Sequence, residues 1–262
     1  SASLKAHAAA RGLLTGCAVN ANLFRQDAAF RDLLAQQCSI LVPENCMKLN
    51  QLRPTPEAYD FADADALVAF AQTHNIQLRG HNFVWHEALH TWFAATVTKT
   101  NARKFLIDHI TTVATRYKGK IHSWDVVNEA IWIKDGRPDG LRTSSPWFQM
   151  LGPDYLDLAF KTARHADPTA LLTYNEYGIE YDTEDESKKR AATCPRWPTS
   201  SRPPSPRPMT PRPPLSCASV MAPRRTSRST TASWRRPRAC ACCRAASAGT
   251  TSAAGPPSRR SA

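Results

Sequence analysis

Acidic side chains stop at Glu186, and from Cys194 to Ala262 the chain has no Asp, Glu, Lys, His, Asn, Gln, Ile, Phe or Tyr. That stretch therefore offers no carboxylate or imidazole for acid–base chemistry. Its larger aliphatic side chains are Met209, Leu215, Val220 and Met221, too few to bury a core. Its 13 prolines oppose both helix and inner strand. Elsewhere, no apolar run reaches the roughly 18 residues of a membrane span, so no transmembrane helix is expected. No GxGxxG or GxxxxGK[ST] fingerprint follows a strand-like segment, which weighs against a nucleotide site on an open sheet. Cys17, Cys38 and Cys46 form no CxxC and have no paired histidine, so no metal is expected and the three read as buried thiols. No charged segment followed by an apolar one stands at Ser1, which reads as a leader already removed or a trimmed start.

Charge is unevenly placed. The net value of +12 over 262 residues invites a nucleic-acid reading. Residues 1–193, however, carry 21 Lys and Arg against 22 Asp and Glu, and residues 194–262 carry 13 Arg with no acid. The basicity belongs to the tail and says nothing about the partner of the body, for which nucleic acid is not the expectation.

Within 1–193, short apolar runs alternate with amphipathic stretches. The strand-like runs are 13–20, 39–42, 76–86, 124–127 (within 121–130) and the segment ALLTYNEYGIE. Between them, helices are expected after Asp27 (with Phe30, Leu33 and Leu34 on one face), over 63–75, 100–118 and 153–166, and from 183, where Thr183 and Glu186 have capping-box spacing. Five strand–helix units in alternation predict a parallel sheet. Polar residues close every strand, which favours a (β/α)8 barrel over a doubly wound sheet whose site lies at one switch point.

The tail reads as another kind of text. One reading is a low-complexity basic segment. A second explains more: of its 69 residues, 65 are types whose codons carry G or C at the second base. Selection on a protein has no reason to respect such a rule. A GC-rich gene read out of frame does, because its biased wobble base then falls at the second position. The division expected is a barrel-like part over 1–193 and an out-of-frame or disordered part over 194–262.

Residues 121–130, IHSWDVVNEA, are the centre of the chain. An apolar run of strand length stops at Asn128 and Glu129, as a buried parallel strand does when it delivers polar groups to its C-terminal mouth. In a barrel that mouth is the site of chemistry, and a glutamate there suits a general acid; the plainer alternative is a surface glutamate after a strand.

Four segments together, PENCMKLNQLRP (43–54), RGHNFVWH (79–86), WDVVNEA (124–130) and YNEYGIE (174–180), resemble the family-10 glycoside hydrolases, endo-β-1,4-xylanases with a (β/α)8 TIM barrel. The resemblance covers about residues 12–193. It implies Glu129 as general acid/base and Asn128 as the amide on the sugar 2-hydroxyl. It implies Glu44, Asn45 and Lys48 as glycone-side binding groups, His81 and Trp85 as walls around the cleaved sugar, and Asn175 as a support near the acid. At position 176 the family more often has Asp, so no role is carried to Glu176. Taken singly, Lys48 reads as a solvated charge, His81 as a core histidine and Trp85 as packing; Trp92, Trp132 and Trp147 read equally as sugar platforms or core.

The resemblance stops before the family's nucleophile, a glutamate at the seventh strand; no Glu follows Glu186. It implies xylan or xylo-oligosaccharide as substrate, no cofactor, no membrane, and a secreted or periplasmic setting, because the polymer cannot enter a cell. The chain as written is expected to be impaired, since five strands cannot close a barrel and the covalent step has no carboxylate. The rival readings are a non-catalytic oligosaccharide-binding remnant and a nucleic-acid binder acting through the tail. Oligomeric state is left open by the sequence.

Overall fold

The computed structural model describes residues 2–180, 183–196 and 219–221. The short strands β1 (Gly16–Val19), β2 (Ile40–Pro43), β3 (Gln77–Val84), β4 (Ser123–Asn128) and β5 (Leu171–Asn175) pair in that order, each parallel to the next. Helix α1 (Leu4–Ala9) precedes them. The crossovers carry α2 (Ala21–Gln26) and α3 (Ala28–Gln37), then α4 (Leu49–Leu52) and α5 (Ala62–Thr73), then α6 (Phe93–Thr96) and α7 (Ala102–Arg116), then α8 (Pro146–Leu151) and α9 (Tyr155–Ala166). Helix α10 (Glu184–Arg196) follows β5. This is the strand–helix alternation of a (β/α) barrel, present here as a partial barrel of five parallel strands.

The sequence explains why the sheet is buried where it is. All six residues of β4 are buried, as a strand covered on both faces requires. Helix α9 turns Leu156, Ala159, Phe160, Ala163 and Ala166 inward, and α7 turns Phe105, Leu106, Ile110 and Val113. Trp124 lies wholly inside and stacks on Phe83 with ring centroids 4.2 Å apart. The ring needs Gly80 opposite it, because a Cβ there would stand 2.1 Å from its six-membered ring.

The expected elements appear with shifted ends. Asp27 accepts from the Phe30 amide at 3.0 Å and caps α3, and Thr183 accepts from the Glu186 amide at 3.3 Å ahead of α10. Helix α9 starts at Tyr155 rather than at Pro153, with Asp154 as its N-cap. Leu33 does not join Leu34 in the core; it is 54% exposed. Cys38 and Cys46 are buried, but Cys17 is exposed. Cys17 is open because, among the described residues, β1 pairs with β2 alone, which leaves Gly16, Cys17 and Ala18 exposed.

Helix α10 continues to Arg196, three residues past the change in composition, and Pro195 near its end has no N–H with which to extend the ladder. A three-residue strand, β6 (Ser219–Met221), pairs antiparallel with β5 through Leu172–Met221, Thr173–Val220 and Tyr174–Ser219. The remaining tail readings fall outside the described residues. No helix among the described residues is long and apolar enough to cross a membrane.

Candidate active site

Parallel strands point the same way, so their C-terminal residues gather at one mouth. Glu44 and Asn45 follow β2, Trp85 follows β3, Asn128 closes β4 with Glu129 next, and Asn175 closes β5. Register then sets the partners. His81 pairs with Asp125 across β3 and β4, and Asn128 pairs with Asn175 across β4 and β5.

Glu129 is half-buried and accepts a hydrogen bond from the Trp85 indole at 3.0 Å. Its backbone lies at φ 55°, a left-handed conformation that costs a residue with a side chain about 1–3 kcal/mol. Neighbours hold it there: its N–H donates to the Asn175 carbonyl at 2.9 Å, and its carbonyl accepts from Arg142 Nε at 3.1 Å. The turn takes the carboxylate off the line of β4 and toward Trp85.

Beneath it runs a chain of polar contacts across three strands. Asn175 Nδ2 donates to Asn128 Oδ1 at 2.7 Å, and Arg79 Nη2 donates to Asn175 Oδ1 at 2.8 Å. Arg79 also grips Asp125 with Nε and Nη2, at 2.7–3.0 Å. His81 Nδ1 lies 2.9 Å from the other side of that carboxylate, and the Thr173 hydroxyl donates to it at 2.7 Å. Asp125 is 1% exposed. Burial opposes its ionisation, but the His81 hydrogen bond and the Arg79 guanidinium outweigh that and hold its carboxyl below the usual carboxylate range.

At the β2 end the contacts are fewer. Glu44 is exposed and accepts from Asn20 Nδ2 at 3.0 Å, while Asn20 Oδ1 caps α2 through the Asn22 and Leu23 amides. Lys48 Nζ donates to Asn45 Oδ1 at 2.9 Å and sits 5.0 Å from the centre of the Trp85 ring. The His81 and Trp85 rings lie 6.4 Å apart. Asn45, Lys48, His81, Trp85, Asn128, Glu129 and Asn175 are thus linked in two groups that meet at Trp85, while Glu44 is held separately through Asn20. Of the three tryptophans left open by the sequence, Trp147 is core, 1% exposed, with its indole donating to the Trp85 carbonyl at 2.9 Å. Trp92 donates to the carbonyls of Arg53 and Pro54, and the Trp132 ring carries Arg142 at 4.7 Å.

This set of hydroxyl-ready amides, one half-buried carboxylate and an indole suits a neutral polyol. The comparisons decide the family. The model for Glycosyl hydrolase family 10 matches residues 3–202. The chain belongs to glycosyl hydrolase family 10. It is 41% identical over 172 residues to endo-1,4-beta-xylanase A of Xylanibacter ruminicola, covering 63% of this chain and 45% of that protein. It is 39% identical over 152 residues to the beta-1,4-xylanase of Dictyoglomus thermophilum, covering 58% and 42%. Among solved structures, xylanase 10B from Thermotoga petrophila RKU-1 in complex with xylobiose aligns with a TM-score of 0.66 at 33% identity, over 73% of this chain and 57% of that one. The chain thus spans under half the length of these two relatives.

Several residues that build this candidate site drew no role from the sequence: Asn20, Arg79, Asp125, Arg142, Tyr174, Glu176 and Lys189. Asp125 and Arg79 did leave a signal. An ionised residue inside an apolar strand must be paired, and Arg79 stands inside the neighbouring strand. Glu176 left none. It is held by Lys189 Nζ at 2.7 Å and by the Tyr174 hydroxyl, and burial pushes its carboxyl up. Of the carboxylates described at the ends of β2 and β5, Glu176 is committed to Lys189 and Glu44 to Asn20, while Asp125 is committed inside β4.

Proposed function

We propose that this site performs the acid/base half of retaining endo-hydrolysis of β-1,4-xylan. The observation that carries the reading is the half-buried Glu129 carboxylate, turned out of β4 onto the Trp85 indole beside the Asn128–Asn175 pair. Glu129 would protonate the leaving glycosidic oxygen and later take a proton from water. Asn128 would hold the sugar 2-hydroxyl, and Glu44, Asn45 and Lys48 would bind hydroxyls on the glycone side. Trp85 offers a face for a sugar ring. No cofactor enters this chemistry, and a polymeric substrate places the reaction outside the cell, in a secreted or periplasmic setting.

Retention needs a second carboxylate about 5–5.5 Å from the first. Glu44, Asp125 and Glu176, described above at the ends of β2 and β5 and inside β4, already have structural partners, and residues 194–262 hold no acidic side chain. The reading therefore divides the chain at about residue 193 into a catalytic-barrel part and a tail read out of frame. Two experiments test it. Sequencing the coding DNA across codons 185–200 should find a missing or extra base; an intact frame rejects the division. Xylan hydrolysis by this chain should be roughly a thousandfold or more below that of a frame-restored chain, as expected for loss of a nucleophile. Equal rates reject the assigned mechanism.

A second reading has its own support in Lys48 over Trp85 and Asn20 on Glu44, contacts that need no nucleophile. On that reading the chain binds xylo-oligosaccharides without turnover. Calorimetric titration with xylotriose separates the two: binding without products supports the second.

A further inference from the structure

Three consecutive amides leave the mouth of β4, and three consecutive residues of β5 and its end receive them. The Glu129 N–H donates to the Asn175 carbonyl and the Ala130 N–H to the Tyr174 hydroxyl, both at 2.9 Å. The Ile131 N–H donates to Glu176 Oε2 at 3.1 Å. The Tyr174 hydroxyl then donates to the same Oε2, so two of the three catches are joined. Glu176 Oε1 accepts from the Tyr177 amide at 3.2 Å and faces Lys189 Nζ at 2.7 Å. The Glu176 side chain is fully withdrawn from solvent, and that of Lys189 is 8% exposed.

A buried ion pair is weak as a source of stability, since an apolar pair of similar volume often serves as well. What an apolar pair cannot supply is an acceptor for the Ile131 amide. We propose that Glu176 is a positioning residue: with Tyr174 it clasps the amides of Ala130 and Ile131, fixes the left-handed turn at Glu129, and so aims that carboxylate at the Trp85 indole. Lys189 in turn holds Glu176, which ties α10, the last helix of the body, to the aim of the acid. The functional importance of the clasp rests on Glu129 being the acid/base, but its geometry belongs to the ligand-free protein.

The experiment is a spectrum of the full chain labelled with nitrogen-15 at tryptophan, read at the Trp85 indole N–H without substrate. Glu176→Leu removes the acceptor; Glu176→Gln keeps one. In Glu176→Leu the Trp85 signal should move and its exchange with water rise about tenfold, the scale of one lost net hydrogen bond. The indoles of Trp92 and Trp124 should stay in place, and Glu176→Gln should return Trp85 to its parental position. An unmoved Trp85 signal in folded Glu176→Leu overturns the proposal, as does an equal displacement by Gln and Leu. If Glu176→Leu does not fold, Tyr174→Phe gives the same decision, because it removes the acceptor of the Ala130 amide: a moved Trp85 signal supports the clasp and an unmoved one overturns it. A failed xylotriose titration alongside a moved Trp85 signal would reject the substrate and keep the clasp.

Discussion

Strands β4 and β1 belong to one sheet and have opposite fates. Every residue of β4 is buried, whereas three of the four in β1 are exposed. The difference reaches the site. Groups on the β3–β5 side are interlocked: Asp125 alone contacts Arg79, His81 and Thr173. Groups on the β1–β2 side are held by fewer contacts: the Glu44 carboxylate rests on Asn20, and Lys48 on Asn45 and the Trp85 ring. A side chain in the middle of a parallel sheet has neighbours on both flanks and a helix layer above, so its position is fixed several times over. A side chain near a strand with one partner is fixed once.

The comparison breaks most sharply at Trp124. It is wholly buried, packed on Phe83 and fitted to Gly80. Trp124→Ala should cost about 3–5 kcal/mol, the range for removing a large aromatic from a core that cannot collapse. Urea denaturation followed by circular dichroism would measure it. A loss under about 1 kcal/mol would mean that the centre of the sheet is no better packed than its edge.

Next comes Asp125→Asn. Removing the charge leaves the partly exposed Arg79 without its anionic partner, for an expected loss of about 3 kcal/mol. The pH dependence sharpens this. The folded-state pKa of Asp125 is lowered, so its contribution is present above the unfolded carboxylate value of about 4 and is lost as pH falls through the folded value. Glu176 has a raised pKa because of burial, so its contribution is largest below about pH 4 and is lost as pH rises through its folded value. Denaturation midpoints across pH 3–7 should fall less steeply on the acid side in Asp125→Asn, the remaining fall coming from other lowered carboxylates such as Asp65 and Asp135. In Glu176→Gln they should lose the opposite slope. The same slope change in both variants would contradict the assignment.

How much of this was legible in the sequence follows the same divide. The five parallel strands and their helices could be read because a buried strand declares itself by an unbroken apolar run, and Trp124–Val127 is such a run apart from Asp125. Of the eight candidate site residues, Asn128 and Glu129 stood out from the strand pattern itself and the other six only through their motifs. Their partners were not, because a partner is chosen by register between strands, and register leaves little trace in local pattern. Asp125 finds His81 from 44 positions away, and Glu176 finds the Ile131 amide from 45. Leu33 and Cys17 misled for a related reason. Their local pattern promises burial, but burial needs a covering neighbour, and among the described residues β1 pairs only with β2. Strand β6 gave no local signal either, since Ser219–Met221 is three residues in a proline-rich text.

The edge of the sheet should yield little when it is cut. Asn20 is the exception there, because it does two things: its Oδ1 caps α2 and its Nδ2 holds Glu44. Asn20→Ala should cost about 1 kcal/mol, the ordinary value of a lost N-cap. Leu33→Ser, at a position already 54% exposed, should change the denaturation midpoint by no more than about 0.5 kcal/mol in free energy. The ratio of the two matters more than either value. If Leu33→Ser costs as much as Asn20→Ala, the outer face of α3 is covered in solution, and the openness of β1 would be a property of the isolated chain rather than of its working state. If Asn20→Ala alone is felt, the edge is truly open, and the β2 side of the site relies on a single asparagine for its order.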